Sequence, residues 1–287
     1  MDIYSRFSSL IQEGKVLPWL PELTEDVVNS TWEALYAESG YKQKNYSSSR
    51  MIEKNVHAER NVLGILAFDD FESEVILEKL PSNNEARFGA LGLSFSRANQ
   101  SAIEYQLSEL RLAFDLIAEI PSLYMTVLTL VRSIHILKAE NDEHDVSFSD
   151  PTIPFSIFVS IPSIRETNSS IRLAEAIIHE AMHLQLTLIE SFCPLISEDD
   201  KIIFSPWKNE NRQPSGVLHA LYVFSVIYTS LPLLNISVEE FVAGRRVEIR
   251  KQILEIDSFR SINGFTPIGH IFRDNLFARF DESIVSG

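Results

Sequence analysis

Cysteine is almost missing from this chain: Cys193 is its one thiol. No internal disulfide can form, which points to a reducing compartment. Its position before Pro194, at the end of an apolar run, reads as a buried structural thiol rather than a nucleophile. Basic residues are also scarce. Lys and Arg number 25 against 40 Asp and Glu, a net charge of −15, which argues against a general affinity for nucleic acid, whose phosphates are held by cations. The acidic surplus reads as a solvated surface and leaves a basic or neutral partner as the better guess. The opening MDIYSRFSSLIQEGKVLPWL has no basic segment followed by an apolar run and a cleavage site, so no secretory signal is read and a cytoplasmic setting is expected. Repeats, low-complexity tracts and a convincing linker are lacking as well.

What is there is the composition of an ordinary globular protein, 287 residues with 45% hydrophobic and 23% charged, enough to bury a large core. Residues 1–40 read as short helices punctuated by Pro18 and Pro21, and 41-YKQKNYSSSRM-51 as an exposed loop. Between 97 and 118, Ile103, Leu107, Leu110, Leu112, Phe114 and Ile117 recur at helical spacing, an amphipathic helix. The run 123-LYMTVLTLVRSIHILKA-139 begins as a buried helix, and its end reads equally as helix or strand. An acidic turn, 140-ENDEHD-145, precedes 153-IPFSIFVSIP-162, a strand by its branched and aromatic residues. Residues 197–216 read as a loop with a polar centre.

The stretch 216-GVLHALYVFSVIYTSLPLLNI-236 is long and apolar enough to raise a membrane reading. His219, Ser225, Thr229, Ser230 and Pro232, with no flanking basic anchors, favour a buried core helix. A charged helix follows over 237–257, then a Gly/Pro turn and a terminal helix. The fold class expected is mainly α within α+β, a helical domain with a small β-sheet or hairpin next to the helix described below. An N-terminal helical region, 1–95, is expected to pack on the same core as a catalytic region, 96–287.

The chemistry lies in 175-EAIIHEAMHLQLTLIE-190. The capping residues 167-TNSS-170 start a helix that runs to about Ser191, before Pro194 stops it. His179 and His183, four apart, then present two imidazoles to one point with Glu180 beside them. HExxH is the signature of zinc metalloproteases, with the Glu as general base on a metal-bound water. Apolar flanks from Ile177 to Ile189 imply a buried helix, where polar groups need partners and one metal ion would satisfy both imidazoles. Two histidines hydrogen-bonded within a core are the bland alternative.

A third ligand is needed. The elongated protease motif requires Gly and His where this chain has Leu186 and Ile189 and is excluded. A later carboxylate, Glu239 or Glu240, would suit a zinc peptidase. The better candidate is His219, inside an apolar helix and preceded by Trp207, Lys208 and Arg212, an aromatic and two cations suited to gripping a carboxylate.

The combination AEAIIHEAMHL with a downstream SPW-x(4)-R-x-P-SGVLHA, preceded by PFSIFVSIP and followed by a charged helix and 265-FTPIGHIF-272, resembles the HExxH peptide-modification family. The similarity covers roughly residues 100 to 275. Members of that family are described as iron(II)- and 2-oxoglutarate-dependent β-hydroxylases of ribosomally made, post-translationally modified peptides. The resemblance implies that His179, His183 and His219 are iron ligands and that Arg212 takes the distal carboxylate of 2-oxoglutarate, with Trp207 and Lys208 in the same cofactor-binding block. Lys208 stands where the family pattern has Arg, which keeps the charge and loses the bidentate fork. Glu180, the base of a hydrolase, would here orient ligands or substrate. The implied partners are a precursor peptide, 2-oxoglutarate and dioxygen, with neither nucleic acid nor membrane. A zinc peptidase and a non-catalytic peptide-binding protein remain the alternatives.

Overall fold

The computed structural model describes residues 2–14, 17–39, 62–68, 73–96, 99–138, 146–153, 155–198, 201–234 and 239–285. The polar loop expected over 41–51 and the acidic turn at 140–145 lie outside them. Helices predominate and the sheet is small and mixed, an α+β fold. The chain forms two compact units, one of residues Val28–Leu184 and the other of Met1–Val27 with Gln185–Gly287.

The first unit is built on a five-stranded sheet. Its strands are β1 (Val62–Phe68), β2 (Ser73–Glu78), β3 (Ser133–Leu137), β4 (Ser147–Ser149) and β5 (Ser156–Ser160), in the order β1-β2-β3-β5-β4. β2, β3 and β5 run parallel, while β1 and β4 are antiparallel edges. The SIHIL segment is therefore a strand, and it lies parallel to β5 rather than in a hairpin with it. Every residue of β3 and β5 is buried, as parallel strands covered on both faces must be. In β3 the alternating Ser133, Ile134, His135 and Ile136 are therefore all buried alike.

Helix α4 (Gln100–Ala118) packs on the sheet. Asn99 caps it by accepting from the Ala102 N–H at 3.0 Å. Ile103, Leu110, Phe114 and Ile117 are buried as their spacing implies, whereas Leu107 is half-buried against β1. There Gly64 lets it in: a Cβ on that glycine would come within 2.6 Å of Leu107 Cδ1. The unit also holds α3 (Ser82–Gly89), α5 (Pro121–Leu130), which begins on a proline that needs no N–H partner, and the later part of α2 (Pro21–Ser39). Phe88, Phe95, Phe148 and Phe158 pack together in it as an aromatic cluster.

The second unit gathers α1 (Ile3–Glu13), the start of α2, α7 (Pro214–Ser230), α8 (Glu239–Glu255) and α9 (Pro267–Val285). α7 is apolar on nearly all sides and mostly buried among its neighbours. Together with a 3₁₀ turn over Leu231–Leu233 it is long and apolar enough to cross a membrane by length and composition, but about 72% of its most apolar window is covered by the protein itself. Within the polar loop expected before it, two three-residue strands, β6 (Ile203–Ser205) and β7 (Glu210–Arg212), form a hairpin. Strands that short leave no readable pattern. Gln185 anchors this core: its Nε2 donates to the Trp19 carbonyl at 2.9 Å and to Thr24 Oγ1 at 2.6 Å, and the Tyr222 hydroxyl donates to its Oε1. Burial holds that phenol well above its ordinary pKa. Cys193 is fully buried, and burial, then the Asp2 carboxylate, push its pKa up to about 11, so it is an inert thiol.

Candidate functional site

The motif helix is α6 (Ser169–Phe192), close to the span its caps and Pro194 imply. Its burial is less uniform than the apolar flanks suggest. Arg172, Glu175, His179, His183, Thr187 and Glu190 are only half-buried, at intervals of three to four residues, so one narrow stripe of the helix escapes burial. Both motif histidines stand on that stripe. Ile177, Ile178, Ala181 and Met182 around them are fully buried and fix the helix in place.

His179 Nε2 and His183 Nε2 lie 3.1 Å apart. Two neutral imidazoles at this distance satisfy each other through one N–H···N hydrogen bond, and the same approach aims two lone pairs at one point once neither Nε2 carries hydrogen. With metal–nitrogen bonds of about 2.1 Å, a 3.1 Å separation subtends about 95° at the metal, between square and tetrahedral angles. The pair therefore fits a divalent transition ion.

Glu180 is one residue round the helix from the stripe and only 2% exposed. Ser147 on β4 donates its hydroxyl to Glu180 Oε1 at 2.7 Å, and the same oxygen is 3.9 Å from His179 Nε2. A buried carboxylate is thus held by a hydroxyl across 33 residues of sequence and aimed along the edge of the histidine pair. Nothing in VSFSD marks Ser147 as its partner.

His219 stands in the second turn of α7. Its Nε2 is 2.7 Å from Glu190 Oε2, with side-chain exposures of 17% and 23%. Glu190 escaped the sequence reading, although its spacing of seven from His183, two turns of one helix, is the signal that would have found it. Among the described residues no three His, Cys, Asp or Glu side chains are gathered closely enough to hold a metal as they stand. The motif thus brings two imidazole nitrogens together without a third group of these types beside them.

The remaining sequence candidates lie in and beside the β6–β7 hairpin. Trp207, in the turn, stacks on Phe224 of α7 with centroids 5.3 Å apart and rings within 7° of parallel. Its indole N–H is buried and has no partner among the described residues. Lys208 is exposed in the same turn. Arg212 ends β7 with its guanidinium 3.6 Å from Glu210 Oε1, and its Nε would lie 3.4 Å from a Cβ on Gly216. The arginine thus lies across the start of α7, in ordinary contact distance of that position. Glu239 and Glu240, the carboxylates considered for a zinc peptidase, are exposed in the first turn of α8, where negative charge complements the helix dipole. Compared with known proteins, the chain matches no family model and no curated sequence.

Proposed function

We propose that this chain is an iron(II)- and 2-oxoglutarate-dependent oxygenase of the HExxH peptide-modification kind, which hydroxylates a side-chain Cβ in a ribosomally made precursor peptide in the cytoplasm. This reading takes His179 and His183 as metal ligands and, on the resemblance alone, His219 as the third, with the small sheet next to the metal-site helix. The supporting observation is the 3.1 Å approach of the two motif Nε2 atoms on the one stripe of α6 that is not buried. Beside it stands the resemblance of the SPW-x(4)-R-x-P-SGVLHA block.

When bound, iron with 2-oxoglutarate and dioxygen supplies the oxidation that turns a substrate C–H into C–OH, with succinate and carbon dioxide as co-products. The protein's own groups bind and orient. His179 and His183 offer lone pairs at Nε2, and Glu180, held by Ser147, keeps a fixed negative charge beside His179. Arg212 presents a guanidinium fork to the distal carboxylate of 2-oxoglutarate. Trp207, stacked on Phe224, walls that side, and Lys208 adds positive charge.

The test restores Fe(II) or Zn(II) separately to the apoprotein, with 2-oxoglutarate in air and a panel of short synthetic precursor-type peptides. Succinate and a peptide heavier by one oxygen, with Fe(II) alone, are expected. One observation supports the rival reading of a zinc peptidase, with Glu180 as general base: Glu180 Oε1 is 3.9 Å from His179 Nε2. Peptide cleavage with Zn(II), and no succinate with Fe(II), would replace the oxygenase with that enzyme.

A further inference from the structure

The segment 146-VSFSD-150 ends the sheet, and its backbone has an inner and an outer side. Ser160 N–H donates to the Val146 carbonyl at 2.8 Å and Val146 N–H donates to Ser160 Oγ at 2.8 Å, so Val146 turns both backbone groups toward β5. Hydrogen-bonding sides alternate along an antiparallel strand, so Phe148, opposite Phe158, does the same. The N–H and C=O of Ser147 and Ser149 therefore point away from the sheet. Among the described residues no strand lies beyond β4. The opposite edge is blunted by a bulge between Val62 and Gly64 in β1, whereas β4 carries neither bulge, proline nor charge.

Side chains alternate as well. Phe148 stacks on Phe158 on one face, with centroids 4.2 Å apart. On the other face Ser147 puts its hydroxyl on Glu180 Oε1 at 2.7 Å, and that oxygen is 3.9 Å from His179 Nε2. All of these residues belong to the unit Val28–Leu184. The open edge thus runs directly into the candidate site. We propose that β4 is the substrate-docking edge: an extended peptide adds to it as an antiparallel strand through the outward N–H and C=O of Ser147 and Ser149, and turns every second side chain to the face that holds Glu180 and the histidine pair. This rests on the proposed action on a peptide and names how that peptide is held.

An antiparallel partner is the stronger of the two pairings. The peptide residue opposite Ser147 exchanges two hydrogen bonds with it and carries its Cβ about 5 Å from that of Ser147, on the same face. That residue is the one delivered to Glu180. A second copy of this chain is a poor occupant: an edge three residues long offers far less than the roughly 1,200–2,000 Å² buried in a stable interface, and a net charge of −15 repels its own copy. The same charge draws a neutral or basic peptide. The bonds between Val146 and Ser160 and the Phe148–Phe158 stack hold the edge in place beforehand, so binding orders the peptide alone.

The test measures binding by the full chain without added metal. A phage-displayed random octapeptide library is selected on wild type, and the enriched peptide is made with a fluorescent label and with a single N-methyl group at each residue in turn. N-methylation should weaken binding about 10-fold or more at two residues with one between them, and change it less than about twofold at that one. Ser149→Pro should keep the unfolding midpoint of wild type, because the N–H it removes does not bond within the sheet. It should nevertheless bind the unmodified peptide about 10-fold more weakly, whereas Ser149→Ala, which keeps the N–H, should bind within about twofold of wild type. The proposal is overturned if no peptide is enriched, if N-methyl losses fall on adjacent residues or on none, or if folded Ser149→Pro binds as wild type does. The N-methyl scan needs no variant and decides the matter should Ser149→Pro unfold. The two readings fail separately. Edge pairing with no succinate from Fe(II) and 2-oxoglutarate removes the oxygenase alone, and peptide hydroxylation by Ser149→Pro at the wild-type KM removes the edge alone.

Discussion

His135 Nδ1 on β3 lies 3.1 Å from the carbonyl oxygen of Glu78 at the end of β2, and its ring stacks on Phe158 with centroids 4.8 Å apart. The imidazole is 1% exposed, and its Nε2 is buried with no partner among the described residues. Burial disfavours the cation more than the carbonyl favours it, and lowers the pKa from 6.5 to about 4.

The consequence is a pH window. As pH falls below 6.5 the unfolded chain takes up this proton first, so the contribution of neutral His135 is complete above about 6.5 and lost as pH falls to about 4. At about 1.4 kcal/mol per pKa unit the loss is about 3 kcal/mol. Urea unfolding at pH 7 and pH 4.5 should show a steep fall for wild type and a shallower one for His135→Phe. Equal falls in the two proteins would mean that His135 is not the group responsible.

A second prediction concerns Gly269 in the first turn of α9. A Cβ there would overlap the carbonyl oxygen of Leu195, a backbone atom that the Thr266 N–H also holds at 2.9 Å. The carbonyl has no flexible end to swing aside. Gly269→Ala should therefore destabilise by about 3 kcal/mol despite its better helix propensity. The check is a lower urea midpoint at unchanged slope, and a midpoint equal to or above that of wild type would refute it.

The fold was legible where one residue pattern decides. The α4 span followed from Ile103, Leu110, Phe114 and Ile117, and α6 from its capping cluster and Pro194. The strand β5 was legible from its branched and aromatic residues, whereas β3, buried throughout, read equally as helix or strand, and β1 and β2 were not read at all. At the candidate site, i to i+4 spacing placed His179 and His183 together. The partners Ser147 and Glu190 come from tertiary packing, which leaves no trace in local spacing apart from the heptad interval of Glu190.

Glu180→Gln separates the oxygenase from the peptidase. The amide keeps the volume and can still accept from Ser147, but it cannot take a proton. A peptidase should lose roughly 10²- to 10⁴-fold in kcat, while an oxygenase, in which the carboxylate only orients, should still form succinate, with a loss of about 10- to 100-fold at most. Loss of both succinate and hydroxylated peptide, with Fe(II) affinity intact, would give Glu180 a direct role in the oxygenase.

Arg212 offers the most direct test of the co-substrate site. Its side chain is 41% exposed and its partner Glu210 58% exposed, so this ion pair adds little to stability and Arg212→Ala should leave the unfolding midpoint almost unchanged. If the guanidinium holds the distal carboxylate of 2-oxoglutarate, its removal deletes a bidentate, charge-assisted pair, and KM for 2-oxoglutarate should rise about 10- to 100-fold. Since that carboxylate takes no part in the bond changes, kcat at saturating 2-oxoglutarate should fall much less. Arg212→Lys should recover only part of the loss, because a point charge replaces a planar fork. A KM within twofold of wild type would remove Arg212 from the site and leave Lys208, in the turn of the same hairpin, as the next cation to test.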